Sequence, residues 1–257
     1  MKVDLVRKID YWAGVPACWL LTAMSFLLKP FVRKPPPSPK KFLFVELSEM
    51  GSAILAYPTM RAIKKQSPSA ELFFLIFEKN RASVDLLNMI PRENVLVIRE
   101  KSLVHFLADV LKVISRIRQE KIDCVFDLEL FARVTAILTY LSGAPFRVGF
   151  HKFRMEGLYR GNLHTHLIQY NYQQHISKSF LSFVRILRYP KKDWPAMDEA
   201  ILDQEIERAS YLASESGMAD LRDKLKGFYP ELTKDHKLII FNPSAGEIPI
   251  RAWAVEN

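Results

Sequence analysis

Two small-residue loops in this 257-residue chain have the composition of ligand-binding turns. The first, Ser48-Glu49-Met50-Gly51-Ser52, follows the apolar run FLFVEL and leads into a helix-patterned stretch. Gly51 permits a tight turn and close backbone approach, and free amides at the start of the next helix can face an anion. Glu49 places a carboxylate in the same loop, while Asp127 and Glu129 end a later apolar run. The second loop, Asn242-Pro243-Ser244-Ala245-Gly246, also follows an apolar run. Arg251 comes shortly after it, and a planar guanidinium suits bidentate phosphate binding.

Other chemistries find little support. His164 and His166 form an H-x-H pair with His175 nine residues on, a spacing that raises zinc as an option. No cysteine lies nearby, and the polar residues of THLIQYNYQQH can satisfy the imidazoles, so no metal site is expected. Neither GxGxxG nor a P-loop signature occurs, which argues against dinucleotide redox enzymes and P-loop NTPases. Cys18 and Cys124 stand far apart in apolar surroundings, as in a reduced compartment such as the cytoplasm.

The elements that must position these loops alternate. Strands are expected at 42–47, 71–77, 95–98, 122–128 and 147–150. Helices are expected at 52–66, 81–90, 103–120 and 131–142, with Ser102 as an N-cap and Pro58 confined to the first turns of its helix or to a kink. Strict alternation of this kind predicts right-handed βαβ units and a parallel sheet covered on both faces. The reading is an α/β fold with a Rossmann-like domain over 42–190. Ligands of such sheets bind beyond the carboxyl ends of the strands, where the Ser48–Ser52 loop falls. Further helices are expected at 174–187 and within 198–226, the latter interrupted at Gly217. A new strand at 237–241 would open a second α/β domain. Arg147 is expected to be structural.

The formal net charge is +9, but residues 1–41 hold eight Lys/Arg against two Asp, which leaves +3 for the remaining 216 residues. Nucleic acid is therefore not an expected partner. Residues 13–28, AGVPACWLLTAMSFLL, contain no charge yet fall short of the ~20 apolar residues that a spanning helix needs. Tyr11, Trp12 and Trp19 favour the headgroup region, and basic residues flank both ends. The expectation is a segment that meets the membrane surface through residues 1–34, bent at Pro16, at the cytoplasmic face of the inner membrane. A single-pass anchor and a helix packed on the soluble body are the alternatives. The run PPPSP at 35–39 reads as a stiff spacer.

Four stretches resemble glycosyltransferase family 9, the family of the ADP-heptose:lipopolysaccharide heptosyltransferases. They are FLFVELSEMGSAILAYPTMRAIKKQSPSAEL, DCVFDLELFARVTAILTYLSGAPFRVGF, YNYQQHISKSFLSFVRIL and IIFNPSAGEIPIRAWAVEN. Together they cover most of 42–257, and their order and spacing carry the likeness.

The resemblance implies a GT-B architecture of two Rossmann-like domains: an acceptor-side domain at 42–190, a helical linker at 191–236 and the start of a donor-side domain at 237–257. It implies inverting, metal-independent sugar transfer from a nucleotide-sugar donor to a lipid-linked glycan acceptor, with no cofactor. The family's catalytic Asp is replaced here by Ser52, so Glu49 becomes the candidate base, with Asp127 and Glu129 as weaker ones. Ser48, Gly51 and Ser52 would bind substrate in the first domain, and Ser244, Gly246 and Arg251 the donor diphosphate in the second. Because most donor contacts of such enzymes come from the second domain, the chain alone is expected to transfer no sugar. The lost Asp also leaves open a non-catalytic, membrane-attached relative or an inactive fragment of such an enzyme.

Overall fold

Apolar residues fill both faces of each central strand, and the computed structural model shows why. It describes residues 3–27, 33–151, 159–188, 200–233 and 235–241. Five strands expected from the sequence, plus one more, form a single parallel sheet in the order β3-β2-β1-β4-β5-β6. The strands are β1 (Lys41–Val45), β2 (Glu71–Phe77), β3 (Val95–Ile98), β4 (Cys124–Asp127), β5 (Phe146–Phe150) and β6 (His166–Ile168). β1 lies between β2 and β4, pairing Phe44 with both Phe74 and Phe126.

Alternation along the strands builds two cores. Phe42, Phe44, Phe74 and Phe126 face one way and pack with Met60, Phe180 and Phe183. Leu43, Val45, Phe73 and Val125 face the other way and pack with Val113, Ile117 and Leu138. Each fully buried side chain of this kind contributes ~1.5–3 kcal/mol. Helices α3 (Met50–Leu55), α4 (Tyr57–Gln66), α5 (Arg81–Asp85) and α8 (Ile176–Arg185) cover the first face. Helices α6 (Leu103–Glu120) and α7 (Arg133–Leu141) cover the second. The Rossmann-like α/β reading therefore holds, with helices on both faces of a parallel sheet.

Several local expectations are corrected. The helix expected over 52–66 breaks at Ala56, so that Pro58 enters the first turn of α4, where its missing N–H costs nothing. β6 was not expected, because three residues are too short to show a period, yet it pairs Val148 with His166 and Phe150 with Ile168. Among the described residues of 198–226, only α9 (Glu215–Phe228) is a long helix. Gly217 sits in its first turn, donating to the N-cap hydroxyl of Ser214 rather than interrupting the helix. Residues 237–241 form no strand, and Leu238 through Phe241 stand exposed. A lone apolar run needs a neighbouring strand to complete its hydrogen bonds, and none pairs with it among the described residues.

The N-terminal residues form α1 (Val3–Trp12) and α2 (Gly14–Leu27), which turn at Ala13 rather than at Pro16. Pro16 falls in the first turn of α2, where helices tolerate it. Cys18 is fully buried beside Ala136 and Leu163. Asp10 accepts hydrogen bonds from the backbone amides of Arg133 (2.9 Å) and Val134 (3.0 Å), so a carboxylate from α1 caps α7. It also pairs with the Arg133 guanidinium at 3.2 Å. Gly161, at φ +60°, lets α2 come close: a β-carbon there would meet the Cys18 carbonyl at 2.8 Å. Among the described residues no helix is long and apolar enough to cross a membrane. The chain divides into two compact units, Met1–Tyr211 and Leu212–Asn257.

Candidate active site

Strand order reverses direction between β1 and β4, and the crevice beyond their carboxyl ends is the ligand position of such sheets. β1 runs into Glu46-Leu47-Ser48-Glu49 and β4 into Leu128-Glu129, so the two chain segments meet there. Three buried side chains hold the first loop. Glu129 Oε1 accepts the amides of Leu47 and Ser48, each at 3.2 Å, and the Ser48 hydroxyl at 2.7 Å. Glu46 Oε1 accepts the amides of Ser48 (3.3 Å) and Glu49 (3.2 Å). Asn80 Nδ2 donates to the carbonyls of Leu47 (3.1 Å) and Ser48 (2.9 Å). The backbone from 47 to 49 is thus fixed from below, and the Ser48 and Glu49 side chains are left exposed.

Burial sets the electrostatics. Glu46 is 2% exposed, and its carboxyl is pushed up to about 10, chiefly by loss of water and next by the charge of neighbouring Glu129. It is therefore protonated at neutral pH. Loss of water at this dry site keeps the proton on Glu46.

Below this pair lies a second buried group. The fully buried Asp127 carboxylate meets His164 Nε2 at 2.9 Å and Arg160 Nη1 at 3.7 Å, and it accepts the Glu129 amide at 3.3 Å. Arg160 Nη2 donates to the Glu129 carbonyl at 2.7 Å. Its Nε and Nη1 have no hydrogen-bond partner among the described residues. The result is a charged scaffold under the loop, with no route for Asp127 itself to reach solvent.

The predicted site residues divide accordingly. Ser48, Glu49, Gly51 and Ser52 stand together at the crevice, and the Ser52 hydroxyl donates to Glu49 Oε2 at 2.7 Å. Helix α3, at six residues, is too short to act as an anion site through its amino end. Asp127 and Glu129 are brought beneath the loop as supports. Ser244, Gly246 and Arg251 lie outside the described residues. The three histidines do not converge. His164 binds Asp127, His166 meets the Thr165 hydroxyl at 2.9 Å, and His175 caps α8. No cluster of metal-ligating side chains occurs among the described residues. Arg147 is structural, donating to the carbonyls of Leu163 and Ala144, each at 2.7 Å, and burial holds its guanidinium down to about 10.

Glu46, Asn80 and Arg160 were missed from the sequence. Only Glu46 gave a signal, as an acid inside the apolar run FLFVEL, because a buried charge must find partners or lose its charge. A groove of about 260 Å³ lies elsewhere, between α4 and α8. It is partly closed by Glu207, which pairs with Arg61 and Lys65 at 2.8 Å each.

A parallel sheet with a pinned polar loop at its switch point defines a Rossmann-like lobe. Solved structures that share this fold include family 9 glycosyltransferases. The crystal structure of the glycosyl transferase family 9 from Veillonella parvula superposes with a TM-score of 0.63 at 18% identity, over 84% of this chain and 56% of that one. The E. coli ADP-heptose LPS heptosyltransferase II gives 0.56 at 16%, over 83% and 57%. At these identities the likeness is one of fold, and this chain spans little more than half the length of either structure. No protein-family model matches the chain, and neither does any curated protein.

Proposed function

We propose that the lobe at 42–190 is the acceptor-side domain of a family 9-type glycosyltransferase. In this reading a heptose-like sugar passes, with inversion and without metal, from a nucleotide-sugar donor to a lipid-linked envelope glycan. One observation carries the reading: a loop pinned from below by Glu46, Asn80 and Glu129 presents Ser48 and Glu49 at the switch point of this fold. Such rigidity suits catalysis, which depends on groups held in place before the substrate arrives.

Glu49 is the proposed base. It removes the proton of the acceptor hydroxyl as that oxygen attacks the anomeric carbon of the donor sugar and the nucleoside diphosphate departs. The Ser52 hydroxyl orients one oxygen of Glu49 and leaves the other for the acceptor. Ser48 and Gly51 line the acceptor side. Ser244, Gly246 and Arg251, in a donor-side domain opened by 237–257 and joined through 191–236, take the diphosphate.

Residues 1–34 supply the proposed attachment to the cytoplasmic face of the inner membrane. Trp12, Trp19, Phe26 and Leu27 all point outward from the helix pair, at 65–77% exposure, while Gly14 and Cys18 pack inward. That arrangement suits a helix lying in the interface.

Acceptor binding tests the lobe directly. A detergent-solubilised lipid-linked glycan should shift the amide resonances of 48–52, and Ser48→Arg should abolish the shift. A glycan that binds without touching this loop would refute the assignment. A second reading, a non-catalytic relative that binds glycan only, is favoured by Ser52 standing where the family resemblance calls for Asp. Glycan binding at the loop with no transfer by the protein carrying both domains would establish it.

A further inference from the structure

Helix α6 carries exposed apolar side chains that owe nothing to the N-terminal helix pair. Leu103, Val104, Leu107 and Leu111 recur at three- and four-residue spacing along its outer side, with Val104 76% and Leu111 70% exposed. The opposite side of the same helix packs into the sheet through Phe106, Val110, Val113 and Ile117. An outward face on a soluble lobe is ordinarily polar, so four apolar residues in its first three turns mark a contact surface.

The exposed charge beside the strip is basic. Lys101 and Lys112 stand exposed beside the strip, and Glu100, next to Lys101, is paired with Lys79 at 2.9 Å. The one carboxylate in those three turns, Asp109, turns inward and is bound by Arg99 through Nε and Nη2, each at 2.8 Å. Apolar side chains flanked by lysines, with both nearby carboxylates paired, match an anionic lipid surface.

Position adds to this. α6 follows the carboxyl end of β3, α7 follows that of β4, and both pack on the same face of the sheet. Their amino ends therefore share the edge that bears the Ser48–Glu49 loop. α1 is fixed to that edge by Asp10 on α7, and Phe131, in the loop before α7, is exposed as well.

We propose that the outer strip of α6 is a second membrane contact, taking anionic phospholipid, and that with the N-terminal pair it holds this edge of the sheet at the bilayer. One contact alone leaves a lobe free to swivel, whereas two fix its orientation and keep the Ser48–Glu49 loop within reach of a lipid-linked acceptor. The inference rests on the membrane attachment proposed above and adds the surface that orients it.

The test uses the full chain with vesicles of phosphatidylglycerol and phosphatidylethanolamine. The double variant Val104→Glu/Leu111→Glu alters side chains already in water, and circular dichroism confirms that it folds. Its vesicle partition coefficient should fall at least fivefold in co-sedimentation. Leu107→Cys, labelled with an environment-sensitive dye, should shift to the blue when vesicles are added, since native Cys18 and Cys124 are buried. Unchanged partition and no spectral shift, in a chain that still binds vesicles, would overturn the α6 contact and leave N-terminal attachment standing. A wild-type chain that ignores vesicles would overturn both. A double variant that converts a dimer to a monomer without changing lipid partition would assign the strip to a second copy, and so overturn the proposal as well.

Discussion

The imidazole of His164 lies across the backbone of Gly149, with Nε2 2.5 Å from where a β-carbon would stand. That same nitrogen holds the buried Asp127 carboxylate at 2.9 Å. The glycine of β5 is thus a space requirement set by a histidine fifteen residues away, and the histidine in turn sets one wall of the scaffold under the crevice.

Gly149→Ala should displace His164 and leave Asp127 short of a partner in a dry site. The expected loss is about 2 kcal/mol or more, measured by urea denaturation. A loss under ~0.5 kcal/mol would mean that the His164–Asp127 contact contributes little.

Asp10 and Gly161 should act together on the N-terminal pair. Asp10→Ala removes the cap of α7 and takes the carboxylate partner from the Arg133 guanidinium, which is 8% exposed. The guanidinium then keeps only the Tyr159 carbonyl as a hydrogen-bond acceptor among the described residues, and the change should cost about 1–3 kcal/mol. Gly161→Ala forces a β-carbon against the Cys18 carbonyl at a positive φ. Both variants should speed limited proteolysis between α2 and β1 while leaving the sheet intact. Unaltered cleavage there would show that the pair is held by other contacts.

Glu46 should make stability depend on pH. Its carboxyl, raised from 4.5 to about 10 by burial and then by Glu129, keeps its proton in the fold but loses it in the unfolded chain at neutral pH. The stability it contributes is complete below the unfolded value and is lost as pH rises toward the folded one. Unfolding free energy should therefore fall between pH 5 and pH 9, by at most ~1.4 kcal/mol per pH unit from this group. Glu46→Gln, which cannot ionise, should flatten that slope and be more stable than wild type at pH 8. Equal slopes in the two proteins would place the ionised form in the fold.

Glu49→Gln should lower kcat of the protein carrying both domains by ~10²–10⁴ with little change in KM, the behaviour of a lost general base. Ser52→Ala, which loses only an orienting hydroxyl, should cost less. Glu129→Gln should act through folding, since its carboxylate holds the loop rather than reaching solvent. Full turnover by Glu49→Gln would remove Glu49 as the base.

The fold was legible because it is written locally. Strands such as ELFFLIF and VLVI are short apolar runs, helix α6 shows its period and its Ser102 cap, and alternation of the two leaves few topologies. What was not legible depended on distant partners. β6 is a strand only because β5 lies beside it. The run at 237–241 has strand composition, yet no strand pairs with it among the described residues, and the backbone there is irregular. α2 has the composition of a membrane segment, yet Gly14 and Cys18 on one side of it are buried against α7 and the turn at Gly161.

By itself, then, the sequence settled the alternating elements, the parallel sheet and the loop at 48–52, since each follows from hydrophobic period and turn chemistry over a few residues. The tertiary structure decided which carboxylates face water and which do not. Glu46, Glu49, Asp127 and Glu129 are alike in type, but burial protonates the first, leaves the second exposed, and turns the other two into supports. The cost of removing a charge from water is a property of the surroundings, and those surroundings are assembled only when β1 and β4, eighty residues apart, come side by side.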